Sequence, residues 1–61
     1  MRFYVNYLQN GKLVGHPDHA KSILEARLLA PEGRLIFAAD TSITVSVDAD
    51  GNEKIIESAK P

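Results

Sequence analysis

The sequence predicts an α+β domain in two layers, a mostly antiparallel sheet with one helix packed on one face. Three observations predict it. Apolar residues alternate in "RFYVNYL", their spacing lengthens to nearly four between Asp18 and Ala30, and short alternating runs return after "APEGR". Alternation marks a half-buried strand, and a period near 3.6 marks an amphipathic helix. The expected order is ββαβββ in a single small domain, residues 1–61, with 57–61 expected to fray at the chain end.

The first strand is expected over "RFYVNYL", where Phe3, Val5 and Tyr7 recur at period two. Asn10-Gly11 follows, and this dipeptide suits a type I′ hairpin turn because both central positions need positive φ. "KLVG" reads as a short return strand stopped by Gly15 and Pro17. The helix is expected from Asp18 to Ala30, with Ala20, Ile23, Leu24 and Leu28 on its buried side. Pro17 suits a first helical turn, and Asp18 sets negative charge near the positive end of the helix dipole. Pro31 and Gly33 then read as a turn that ends it. "RLIFAAD", "SITVSVD" and "EKIIESA" read as three strands joined at Asp40-Thr41 and "DADGN". Short connections between them favour an antiparallel meander. Phe3, Val5, Tyr7, Leu35, Phe37 and Ile43 are expected to face the helix, together with Val45 and Val47. Tyr4, Leu8, Ile36, Ala38 and one of Ile55 or Ile56 are then expected to face away.

A chain of 61 residues buries little surface, about 60% of what its unfolded form exposes, so self-association is an expected support. Cysteine is absent, which removes disulfides and thiolate metal sites. The hydrophobic share of 44% and charged share of 25% fit a folded globular chain and not a disordered one. No apolar run approaches bilayer-spanning length, and "MRFYVNYLQ" alternates instead of forming a signal or transit segment, so a cytoplasmic location is the default expectation. The net charge of −1 is no footprint for a polyanion partner. Residues 1–34 carry five basic against three acidic side chains, and residues 35–61 two against five.

Four patterns bear on chemistry. "GHPDHAKS" carries His16 and His19 three apart; on a helical turn they would be neighbours, with Asp18 as a third ligand to a metal and Lys21 beside an anion at the helix start. The simpler reading is that this stretch only begins a helix, and no metal or cofactor is expected. "VDADGNEK" places Asp48, Asp50 and Asn52 at alternate positions as a calcium loop does. Its glycine stands at the wrong position and strands flank it, so a hairpin turn is expected. The serines lie in no nucleophile elbow and the glycines in no phosphate loop, so no catalytic residue is assigned and no enzyme is expected. Tyr4 alone would offer an outward platform for a base, a weak basis for single-strand nucleic-acid binding.

The remaining features point to contact with protein. Arg27 falls within the helix's apolar arc, where its stem covers apolar surface or its head meets a carboxylate of its own sheet or of a partner. An apolar stripe on the far side of a sheet covered by one helix marks an interface. The expectation is a non-enzymatic protein-interaction module, an adaptor, inhibitor or accessory protein. It would dock a protein partner or a second copy through an open sheet face or edge, with Tyr4, Leu8, Arg27, Ile36 and Ile56 as interface residues. Ligand binding through His16, Asp18, His19 and Lys21 is the alternative.

Overall fold

The computed structural model describes residues 1–60, in the order β1 (Arg2–Gln9), β2 (Lys12–Ala20), α1 (Ile23–Ile36), β3 (Thr41–Val47) and β4 (Glu53–Ala59). The strands form one antiparallel sheet with spatial order β2-β1-β3-β4, and α1 lies on one face, as the predicted fold class requires. Asn10 and Gly11 make the expected hairpin turn, with φ of 51° and 80°. Asp40 secures this turn from across the sheet, because its carboxylate accepts the Asn10 N–H at 2.9 Å.

Three expectations about the elements need correction. First, β2 does not stop at Gly15 but continues to Ala20. Between the pairs Val5–Asp18 and Tyr7–Val14, residues 15–17 stand opposite Asn6 alone, a bulge that absorbs both the proline and Gly15 with φ 64°. An edge strand tolerates proline where its missing N–H faces no neighbour. Second, the helix begins at Ser22, not at Asp18. The Ser22 hydroxyl accepts the Glu25 N–H at 3.1 Å, and the Glu25 carboxylate accepts the Lys21 N–H at 3.2 Å. The Ser-x-x-Glu pattern in "SILE" carries this start signal, here with the glutamate taking the N–H one residue before the cap.

Third, α1 runs through Pro31 and Gly33 to Ile36, so "RLIFAAD" supplies the end of a helix instead of a strand, and the sheet has four strands instead of five. Pro31 is exposed to solvent, at the rim of the groove between helix and sheet. Gly33 is buried against Tyr7; a Cβ there would come within 2.0 Å of the phenol carbon. Glycine is therefore needed for close approach of helix to sheet, and it breaks nothing. The helix ends at Phe37 and Ala38. Ala38 takes φ 54°, and the Ala39 N–H bonds back to the Arg34 carbonyl at 2.8 Å in a Schellman-type close. The last strand, β4, continues through Ala59; of the end expected to fray, Pro61 lies outside the described residues.

The core is small: Val5, Tyr7, Ala20, Ala26 and Ala30, with Phe3, Val14, Leu29, Phe37 and Ala39 packed around it. Phe3, Val5 and Tyr7 face the helix as expected. Leu24 and Leu28, expected on the buried side of the helix, are instead 69% and 76% exposed. Alanines and Gly33 take that side, because small residues let the helix backbone sit close to the aromatic-bearing sheet.

Candidate functional site

The outer face of the sheet is set by register. His19, Tyr4, Val45 and Ile55 are successive cross-strand partners, so one row crosses all four strands on the side away from α1. Tyr4 and His19 pack at a tilt with ring centroids 5.2 Å apart. Leu8 pairs with Leu13 further along, and Ile43 and Val47 flank Val45 on the same face. Leu13 and Ile55 are largely exposed, at 75% and 65%. A hollow of about 210 Å³ beside this row is lined by Tyr4, Asn6, Pro17, Val45, Val47 and Glu53.

The inner face of β3 carries the opposite surprise. Ser42, Thr44 and Ser46 pair with Tyr7, Val5 and Phe3, so they share the helix side, and all three are buried. Ile43, Val45 and Val47, expected inward, stand on the outer face, where Val45 is nonetheless buried, at 7% exposure, and the other two are half-buried. The alternation of "SITVSV" was legible; the choice of side was not, because period two fixes the faces only relative to each other. The Ser42 hydroxyl is satisfied in place. Arg34 donates from Nη1 to Ser42 Oγ at 2.7 Å, and no buried side-chain polar atom lacks a partner among the described residues.

The helix leans over β1 and β2, and a groove of about 160 Å³ opens between it and the β3–β4 half of the sheet. Arg27 bridges this groove. It is largely exposed, and its Nε and Nη2 both donate to Glu57 Oε1 on β4, at 2.8 and 2.5 Å. The carboxylate it sought is thus in its own sheet, and the hydrogen bonds from Arg27 hold the Glu57 carboxyl below the usual carboxylate range.

The remaining expected site residues separate. Tyr4 and Leu8 lie on the outer sheet face as expected. Ile36 does not; it is the last residue of α1, 73% exposed, because the segment that would have made it a strand residue is helical. Ile55 takes the outward place, while Ile56 is the extra residue in a bulge of β4 opposite Thr44–Val45 and is half-buried. His16 and His19 stand on a strand at odd spacing. His19 joins Tyr4 on the outer face, whereas the His16 ring meets the edge of Phe37 at 5.0 Å near the helix end. Asp18 turns to the core and accepts the Tyr7 hydroxyl at 2.6 Å, and only the backbone of Lys21 joins the helix cap. The four side chains do not converge, and no group of three His, Cys, Asp or Glu able to hold a metal exists among the described residues. In the "DADGN" loop the Asp48 carboxylate accepts the backbone N–H groups of Asp50 and Asn52, both at 2.9 Å. Its oxygens serve the turn.

Sequence reasoning missed the Tyr7–Asp18 pair, the Arg34–Ser42 bond and the exposed side of α1. Only the last had a signal, the spacing of Leu24, Leu28 and Leu35. Among the described residues no helix is long and apolar enough to cross a membrane. Comparison with protein-family models, with curated proteins and with solved structures finds no match to the chain.

Proposed function

We propose that the chain is a non-catalytic protein-interaction module that docks another protein on the outer face of its sheet. One observation carries this reading: β3 gives its serines and threonine to the helix side and turns Ile43, Val45 and Val47 away from it. A two-layer domain whose far face meets water arranges such a strand the other way round, with aliphatic residues inward. The inverted arrangement suits a face that is covered in use, and contiguous apolar surface of this kind marks contact sites. Tyr4 and Ile55 are the anchors, with Leu8 and Leu13 beside them.

The test is affinity capture from cells by the tagged chain and two variants. Ile55→Lys alters the outer face at a largely exposed side chain, and Leu28→Lys alters the helix on the opposite side of the molecule. A protein held by the wild type and by Leu28→Lys but lost with Ile55→Lys supports the reading. Equal retention by both variants, or no retained protein at all, refutes it.

A further inference from the structure

The exposed side of α1 carries a surface that the sheet-docking proposal does not use. Leu24, Leu28, Pro31 and Leu35 are spaced four, three and four apart, and the three leucines are 69%, 76% and 85% exposed. That spacing averages 3.5 residues per turn, the repeat of a seam between two helices. The charges beside it are ordered as well. At 100° per residue, Glu25 and Glu32, seven apart, fall along one flank of the stripe. Arg27, 57% exposed, falls along the other, while Arg34, seven residues on, turns under the helix to Ser42. The helix therefore has an apolar centre, an acidic border and, opposite it, the basic Arg27.

We propose that this stripe is a self-association surface, and that a second copy of the chain packs on it with the two helices parallel. The charge order decides the direction. An antiparallel two-fold would set acidic border against acidic border and the Arg27 side against the Arg27 side. A two-fold along the helix axes sets the acidic border of each copy against the Arg27 side of the other, which brings Arg27 opposite Glu32 of the second copy. Among the described residues Glu32 has no ion pair within its own chain. Arg27 uses Nε and Nη2 for Glu57 and keeps Nη1 for a second carboxylate. The geometry has room for this, since α1 presents the stripe on the side opposite its sheet. The dimer is then four layers deep, sheet, helix, helix and sheet.

Sedimentation over a range of concentrations tests the association, and cysteine cross-linking tests its direction in a chain with no cysteine of its own. The wild type is expected to dimerise. Leu28→Lys is expected to raise the dissociation constant about a hundredfold, the loss typical of a central apolar anchor, with an unchanged circular dichroism spectrum. Glu32→Lys, which sets like charges opposite each other, is expected to weaken it about two- to fivefold. Leu35→Cys is expected to form a symmetric disulfide under mild oxidation. A wild type that stays monomeric throughout, or a dimer that Leu28→Lys leaves intact, overturns the proposal. So does a dimer lost with Ile55→Lys but kept with Leu28→Lys, because the second copy would then sit on the sheet. A disulfide between Leu24→Cys and Leu35→Cys copies in preference to like with like overturns the parallel direction.

Discussion

Ala38 holds the helix end in a conformation that costs it energy. At φ 54° its methyl group crowds the neighbouring carbonyl, a penalty that glycine avoids. Ala38 is exposed, so its methyl group has little packing to lose. Ala38→Gly is therefore expected to stabilise the chain by about 0.5 to 1 kcal/mol, the relief of strain being partly offset by a more flexible unfolded chain. A higher urea midpoint at unchanged slope would confirm it. Tyr7 presents the reverse situation, a group perfectly enclosed. Its ring occupies the space that Gly33 leaves, packs at a tilt against Phe37 with centroids 5.2 Å apart and sends its hydroxyl to Asp18. Neither neighbour was legible in the sequence, because Asp18 lies eleven residues away and Gly33 looks locally like a turn residue. Contacts of this kind depend on how helix and sheet are juxtaposed, and periodicity carries no information about that.

At the scale of elements, the first hairpin and the strands 41–47 and 53–59 were readable because alternation and the Asn-Gly turn agree with each other. The helix was readable in kind and misplaced at both ends. Two start signals competed, Pro17-Asp18 and Ser22-x-x-Glu25, and only the second makes the hydrogen bonds of a cap. At the other end Pro31 suggested a stop that packing overrides, since Gly33 and Phe37 anchor the last turn to Tyr7. Of the expected interface, Tyr4 and Leu8 were legible from parity alone, whereas Ile36 was lost with the strand it was thought to occupy. Pro31 still leaves one turn of α1 short of a hydrogen bond at an exposed position. Pro31→Ala is expected to stabilise the fold by about 1 to 2 kcal/mol, less than the full interior cost because proline also restricts the unfolded chain. Thermal unfolding would show it as a raised midpoint, and an unchanged or lowered midpoint would mean that the proline ring itself is needed.

For the molecule as a whole, pH stability is set by a few tied groups. Hydrogen bonds from the Asn10 amide to Asp40, from the Asn52 amide to Asp48 and from Arg27 to Glu57 hold those carboxyls below their ordinary values. Their contribution is fully present above the unfolded carboxylate range, about pH 4, and is lost as pH falls through the lower folded values. Burial and the bond to Asp18 push the Tyr7 phenol upward. Its contribution is present below about pH 10, where a free phenol ionises, and is lost as pH rises beyond that. Melting temperature plotted against pH is expected to show a plateau between these limits with a fall on either side. Tyr7→Phe is expected to lower the plateau and to flatten the alkaline fall. An alkaline fall of the same depth in that variant would exclude Tyr7 as its cause.

The two bulges also matter beyond the strands they interrupt. Both outermost strands carry one, at residues 15–17 on β2 and at Ile56 on β4, so neither border of the sheet offers an unbroken ladder of backbone groups. A chain so rich in outward aliphatic residues would otherwise be at risk of polymerising edge to edge into fibrils. With its borders irregular, growth in that direction is disfavoured, and the exposed apolar side chains lie on the broad faces instead.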